Sequence, residues 1–108
     1  MDRIPYPDFA RLDLRIAEVL ESQSHPNADR LLVLSLRVGE ETRQVVAGIK
    51  ATYAPADLVG RQVVLLANLE PAVIRGVESQ GMVLAVDPGG PPVLLQPDRA
   101  VPSGSKVR

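Results

Sequence analysis

The sequence predicts an all-β protein with short helices, folded as a small barrel. Short runs in which apolar and polar residues alternate are separated by Gly, Pro, Asn and Asp. Hydrophobic residues make up 45% of the chain but aromatic residues only 3%, so the core must consist of Leu, Val, Ile and Ala. With 108 residues there is room for one ordinary domain, and we expect residues 1–108 to form a single domain.

The first elements are a short helix and a strand. A helical turn is expected over Asp8–Leu12, because Pro7 precedes it and an acidic first residue favours the positive end of a helix. Imperfect alternation predicts a strand over Leu14–Ser22. The HPNAD segment, His25–Asp29, ends that strand because proline cannot donate a ladder hydrogen bond and Asn and Asp favour turns.

The middle of the chain predicts a β-hairpin. Leu31–Val38 alternates with a strict period of two, which is the pattern of a half-buried strand. Gly39–Glu41 supplies a turn, and Thr42–Gly48 returns as the partner strand.

The second half predicts three further strands. A helical turn is expected over Ala54–Leu58, followed by strands over Arg61–Leu69, Gly81–Val86 and Val93–Gln96. The DPGGPP run, Asp87–Pro92, is a turn or linker. About five short strands at this spacing fit a partly open Greek-key barrel, although the pattern also allows other small barrels.

A polar stretch with one arginine, NLEPAVIRGVESQGMVLA, occupies Asn68–Ala85 and joins two of the apolar strands. We expect its central part to be a loop. Loops held by strands often carry binding sites, so a recognition loop and an ordinary surface connection both fit this pattern.

The charge distribution is uneven although the net charge is only −1. Positions 30–75 contain six Lys and Arg residues but only four acidic residues, so the positive excess lies in the middle of the chain. Such a basic face attracts phosphates. Its members would be Arg30, Arg37, Arg43, Lys50, Arg61 and Arg75.

The side chains offer little chemistry for catalysis. The chain has no Cys and one His, with no metal-ligand spacing and no phosphate-binding Gly-rich loop, so we expect no metal and no cofactor. His25 is the only candidate base and lies beside Pro26 in a turn, which predicts a protein that is not an enzyme.

No apolar run reaches the roughly 20 residues of a membrane-spanning helix, and we expect a cytoplasmic location.

The motifs of this chain resemble a known family. The Asn68–Ala85 stretch follows the pattern N-L-x-P-x-x-x-R-G-V-E-S-Q-G-M-x-L-A, and four further segments agree, in order: Asp8–Ala17, His25–Leu31, Arg43–Ile49 and Val93–Arg108. Together they resemble the tRNA-binding domain found at the C-terminus of many methionyl-tRNA synthetases and in free-standing bacterial tRNA-binding proteins. The resemblance implies an OB-fold, a five-stranded Greek-key barrel, with added N- and C-terminal elements.

The resemblance also implies RNA-binding residues. By position they are Arg30, Asn68, Arg75, Ser79 and Met82, with Arg37, Arg43 and Lys50 as supporting phosphate contacts. Structural roles stay open for three of them: Asn68 as a turn former, Ser79 as a loop brace and Met82 as a core residue.

One part of the family pattern is absent. Family members commonly carry Lys or Arg in the three positions before the Arg-Gly pair, where this chain has Ala72, Val73 and Ile74. We therefore expect moderate tRNA affinity with a shallow dependence on salt. The chain has only three aromatic residues, which favours readout of RNA shape over base stacking.

Several functions and partners follow from the resemblance. The favoured function is structure-specific binding at the outer corner of tRNA by a free-standing protein. The alternatives are the C-terminal domain of a methionyl-tRNA synthetase, the related domain of the phenylalanyl-tRNA synthetase β subunit, and a chaperone-like protein-interaction module. The family implies a homodimer through Phe9, Leu12 and Val93–Leu95 and allows an aminoacyl-tRNA synthetase as partner. We expect no DNA partner.

Overall fold

The computed structural model describes all residues from Met1 to Arg108. It contains one short α-helix, one 3-10 turn at Pro55–Asp57 and ten strands. In chain order the elements are α1 (Tyr6–Ala10), β1 (Leu14–Ser24), β2 (Leu32–Val38), β3 (Glu41–Ala47), β4 (Gln62–Leu66), β5 (Ala72–Ile74), β6 (Val77–Ser79), β7 (Met82–Val83), β8 (Ala85–Val86), β9 (Val93–Leu94) and β10 (Lys106–Val107).

The main sheet is antiparallel, with the order β3-β2-β1-β4-β7, and β10 pairs with β1. Strand β1 belongs to two halves of this sheet, since Leu14–Glu18 pairs with β4 and Glu18–Ser24 pairs with β2. The register shifts between Val19 and Glu21, and such a bulge bends a strand. The bend curls the sheet into a half-barrel, which confirms the predicted all-β, OB-like barrel.

Two apolar clusters lie on opposite faces of the sheet. The larger one fills the barrel with thirteen buried residues, including Leu34, Leu36 and Leu65. The smaller one consists of Leu14, Ile16, Val64 and Leu66 on the outer face. Phe9, Leu84, Val101 and Val107 pack against this second cluster, so the N-terminal helix and the C-terminal strand cover the outside of the barrel.

The predicted strands are present with altered bounds: β1 ends two residues later than expected, whereas β2, β4 and β9 are shorter. The helix begins at Tyr6 instead of Asp8, because Pro7 lies within its first turn and not before it. Two further elements differ from expectation. The polar stretch after Leu69 is not a plain loop, because β5 and β6 form a hairpin within it. The strand expected over Gly81–Val86 is interrupted at Leu84. There the Leu84 N–H donates to Val64 O at 2.9 Å, while its carbonyl accepts from Leu95 N–H at 3.3 Å, so the chain changes partner from β4 to β9 at this residue.

None of the helices is both long enough and apolar enough to span a membrane.

Candidate nucleic-acid interface

The β5–β6 hairpin has a two-residue turn formed by Arg75 and Gly76. Both residues have positive φ, 54° at Arg75 and 91° at Gly76, and Ile74 pairs directly with Val77. This is the signature of a type I′ turn. Arg75 is the only non-glycine residue with positive φ, a conformation that costs an L-residue roughly 1 kcal/mol. The turn therefore places a strained arginine at the tip of the hairpin.

The tip of the hairpin docks against the turn that follows β1. His25 is 5% exposed, and its Nε2 lies 3.0 Å from the carbonyl O of Ile74. Its Nδ1 accepts the backbone N–H of Asn27 at 2.9 Å, so the ring proton lies on Nε2 and is donated to Ile74. Two longer contacts of 3.4 Å join Asn27 to Arg75, one in each direction between side chain and backbone carbonyl.

Hydrogen bonds link the same turn to three cationic residues. Arg30 ends the turn, its carbonyl accepts the backbone N–H of Lys50 at 3.4 Å, and Arg75 reaches Asn27. Arg30 and Arg75 are exposed and Lys50 is half-buried. None of the four ion pairs in the protein includes any of these three residues. We call Arg30, Lys50 and Arg75 the cation cluster; Asp29, in the same turn, offsets one of its charges.

The other predicted cations have protein partners. Arg37 pairs with Glu18 at 2.6 Å across β1 and β2. Arg43 pairs with Glu41 at 3.1 Å and also donates to the carbonyl of Ala67. Because these charges are already neutralised by neighbours, they attract phosphate less than the cation cluster does. Their supporting role in RNA binding stays a prediction.

Arg61 is separated from the rest of the predicted basic face. Its guanidinium lies 5.1 Å from the ring centroid of Tyr53 and donates to Gln96 at 3.3 Å. These contacts place it beside the C-terminal segment.

Ser79 is buried and its hydroxyl is fully engaged. The side chain is 3% exposed; Oγ accepts the backbone N–H of Val46 at 3.0 Å and donates to the carbonyl of Gly81 at 2.9 Å. These bonds join the end of β6 to β3 and support the bracing role over direct contact with RNA.

Asn68 also holds two parts of the chain together. Its Oδ1 accepts the backbone N–H of Asp13 at 2.9 Å, and its Nδ2 donates to the carbonyl of Arg11 at 2.7 Å. Although the residue is exposed, these bonds engage both ends of its amide. The second lone pair of Oδ1 and the second N–H stay free to meet a ligand.

Met82 lies on the outer face of the sheet. It pairs with Leu66 of the outer cluster and is 44% exposed, so it is not a core residue. Asn68 thus contacts the N-terminal segment and Met82 pairs with Leu66, whereas the cation cluster surrounds the His25–Arg30 turn. The five predicted binding residues therefore do not form one compact group.

The predicted gap in charge is visible on the hairpin. Val73 is 71% exposed and Ala72 is also exposed, so β5 presents apolar side chains to solvent at positions where the resemblance predicted a cation.

A polar groove of about 510 Å³ borders the base of the hairpin and is lined in part by Thr42, Arg43, Pro71 and Gln80. Gln80 closes the barrel here, because its N–H donates to Gln44 O at 2.8 Å and its Oε1 accepts from Gln44 N–H at 3.0 Å. The sequence gives no signal for Gln44, Gln80 or Asn27, since these residues bind partners 34 to 48 positions away in the chain. The protein contains no group of three or more His, Asp and Glu residues arranged to hold a metal ion.

The fold and this site are those of an OB-like barrel that presents a cationic turn and hairpin. The chain belongs to the tRNA-binding domain family: the family model described as "Putative tRNA binding domain" matches residues 14–106.

Relatives of known sequence agree with this assignment. The chain is 50% identical over 108 residues to the methionine–tRNA ligase of Thermococcus kodakarensis, covering 100% of this chain and 15% of that protein. It is 53% identical over 106 residues to the ligase of Deinococcus radiodurans, covering 97% of this chain and 16% of that protein. The chain thus spans about 15% of the length of the curated relatives it matches.

Solved structures show the same fold. A MetRS-related protein from Pyrococcus horikoshii superposes with a TM-score of 0.93 at 28% identity, covering 100% of both chains. The chaperone CsaA from Bacillus anthracis also gives 0.93, at 34% identity, covering 99% of this chain and 100% of that one.

Proposed function

We propose that this chain is a non-catalytic domain that binds tRNA through the shape and backbone of its outer corner. The observation that carries the proposal is the cation cluster, in which Arg30, Lys50 and Arg75 lack acidic partners beside a strained hairpin tip. Guanidinium and ammonium groups bind phosphate oxygens, and Arg75 offers a planar fork for two of them. Membership of the tRNA-binding domain family supports RNA as the source of those phosphates.

The aromatic residues support shape readout. Phe9 packs on the outer cluster, and the Tyr53 hydroxyl accepts the Leu94 N–H at 3.0 Å while its ring faces Arg61. Only Tyr6 exposes a large part of its ring, 72% of the residue. Non-specific binding of single strands relies on several stacking platforms, which this surface does not offer. A folded RNA recognised through phosphates and riboses needs fewer of them.

We further propose that the domain acts as a free-standing protein of the cytoplasm. The structural neighbours from Pyrococcus horikoshii and Bacillus anthracis are matched over their whole chains, which supports this choice. The alternative is the C-terminal domain of a methionyl-tRNA synthetase, supported by the ligases of which the chain spans about 15%. A synthetase is then either a partner or the rest of the same protein.

Titration with three ligands tests the function. Total tRNA, a bare RNA hairpin and an unfolded peptide are each titrated into the protein at moderate ionic strength. The proposal predicts tightest binding to tRNA, since the hairpin lacks the outer corner. Equal affinity for tRNA and the bare hairpin would contradict structure-specific recognition. A matched DNA duplex, which lacks 2′-hydroxyls, is expected to bind more weakly than tRNA.

A chaperone-like protein-interaction module is the second candidate. The match to the chaperone CsaA over the whole of both chains favours it, and the exposed apolar side chains of Val73 and Met82 offer contacts for a peptide. Tighter binding of the unfolded peptide than of tRNA would establish this function in place of the first.

We propose a homodimer formed through the outer face. Leu12, Val93 and Leu95 are 42%, 46% and 39% exposed, and Phe9 lies half-buried beside the outer cluster. Covering such side chains with a second copy stabilises a dimer. Light scattering at micromolar concentration is expected to give twice the mass of 11.6 kDa; the monomer mass would contradict the proposal.

A further inference from the structure

We propose that His25 is a positioning residue for RNA recognition, which sets the hairpin tip so that Arg75 faces the bound phosphate. This inference rests on the proposed tRNA-binding function. His25 itself is buried and would not touch RNA; it acts through Arg75.

The hairpin is too short to hold its tip alone. Each strand has three residues, and a two-stranded hairpin of this size is only marginally stable in water. Its base is fixed, because the Gln44 side chain donates to Glu78 O at 2.8 Å and Ser79 binds Val46. These contacts are at the end of β6, away from the Arg75–Gly76 turn, whose own contacts are two long ones of 3.4 Å with Asn27 and the shorter bond from His25 to Ile74.

His25 supplies the support at the tip. Its Nε2–H donates to the carbonyl of Ile74, the residue immediately before Arg75, at 3.0 Å. The ring is itself oriented by the Asn27 N–H, which donates to Nδ1 at 2.9 Å. The backbone N–H of His25 donates to Leu31 O at 3.0 Å, so the ring is anchored in a closed turn.

The strained conformation of Arg75 makes this support matter. An arginine with φ of 54° relaxes to another conformation unless its surroundings hold it. By fixing the carbonyl before Arg75, His25 limits that relaxation and fixes the direction of the guanidinium. The same turn ends in Arg30, so one buried ring sets the relative position of two members of the cation cluster.

Two conservative variants test the two hydrogen bonds of the His25 ring one at a time. In His25→Gln the side-chain Nε2 takes the place of the imidazole Nε2, so the donor to Ile74 is kept. In His25→Asn the Oδ1 takes the place of Nδ1, so the acceptor for Asn27 is kept while the reach to Ile74 is lost. The inference predicts that tRNA affinity stays near the wild-type value in His25→Gln and falls about tenfold in His25→Asn, as in Arg75→Ala.

A double-mutant cycle tests whether His25 acts through Arg75. Total tRNA is titrated into wild type, His25→Asn, Arg75→Ala and the double variant, at a temperature where melting curves show each to be folded. We expect the double variant to bind as weakly as Arg75→Ala alone, since the second change removes nothing more. Additive losses, or a His25→Asn protein that melts earlier but binds tRNA like wild type, would reduce His25 to a structural residue and overturn the inference.

A measurement on the unaltered protein does not depend on the folding of any variant. Nitrogen chemical shifts of the imidazole are expected to show the proton on Nε2; a proton on Nδ1 would overturn the inference because the bond to Ile74 could not form. The outcomes for the two proposals are separable. If wild type does not bind tRNA, the proposed function fails; if wild type binds and His25→Asn binds equally well, only the role of His25 fails.

Discussion

The hydroxyl of Ser79 accepts the backbone N–H of Val46 at 3.0 Å and so joins the β5–β6 hairpin to strand β3 of the barrel. Both residues are buried, and the same hydroxyl donates to Gly81 O. Ser79, which the sequence predicted as an RNA contact, therefore holds the hairpin in place.

Replacing Ser79 by Ala leaves the Val46 N–H buried and unpaired. We expect the free energy of unfolding to fall by about 1–3 kcal/mol. The tRNA affinity below the melting temperature should change little, because Gln44 and His25 still hold the hairpin. Urea titration measures the first quantity and filter binding the second. Ser35→Ala is the control, since Ser35 is half-buried with no hydrogen bond from its hydroxyl. A stable Ser79→Ala protein with weakened tRNA binding would instead assign Ser79 to direct contact.

Replacing Asn68 by Ala removes both bonds to the segment between α1 and β1. The free energy of unfolding is expected to fall by about 1–3 kcal/mol, because the two hydrogen bonds are lost. Hydrogen exchange of the Asp13 amide should accelerate, as Asn68 Oδ1 is its acceptor. Gln23→Ala is the matched control, being an exposed amide without a side-chain hydrogen bond. Unchanged exchange at Asp13 would show that the bridge does not form in solution.

Gly81 is required by the close approach of β4. A Cβ at this position would lie 2.8 Å from Leu66 O and 3.0 Å from Leu65 Cδ1, at a φ of 126°. We expect Gly81→Ala to cost about 3 kcal/mol or more in unfolding free energy. Gly90→Ala is the control, because no atom lies within 4 Å of its Cβ position. Equal melting temperatures for the two variants would contradict the packing described for β7.

Arg75 has both a strained backbone conformation and a charged side chain. Substitution by Gly removes both, and their effects are measured separately as stability and tRNA affinity. Glycine adopts φ of 54° without penalty, so Arg75→Gly is expected to raise the free energy of unfolding by about 1 kcal/mol. The same variant should bind tRNA about tenfold more weakly because the guanidinium is lost. Thermal melting and tRNA titration on one sample measure both. A less stable variant would show that the side chain contributes more to folding than its conformation costs.

Much of the barrel was predictable from local pattern. The strict alternation after His25 predicted β2, and Leu34 and Leu36 lie in the core as that pattern requires. The β5–β6 hairpin was missed because its strands have three residues each and its turn carries Arg where Asn or Gly is usual. Strand β10 was missed because two residues give no period, and it exists only by pairing with β1.

The site was less predictable because its contacts join distant residues. Asn68 and Arg11 are 57 positions apart, and His25 and Ile74 are 49 apart. Sequence identifies Arg37 as a cation but does not show that Glu18 neutralises it across the sheet. Among the predicted basic residues, Arg37, Arg43 and Arg61 bind other side chains of the protein. The three residues of the cation cluster form no ion pair.

The salt dependence of tRNA binding tests the central claim most directly. With about 0.7–0.9 counterions released per phosphate contact, the three residues of the cation cluster predict a slope of log affinity against log salt of about −2 to −3. Arg75→Ala should make this slope shallower by about one, whereas Arg37→Ala, whose guanidinium is paired with Glu18, should leave it unchanged. A slope near zero, or equal losses in the two variants, would contradict recognition through the cation cluster.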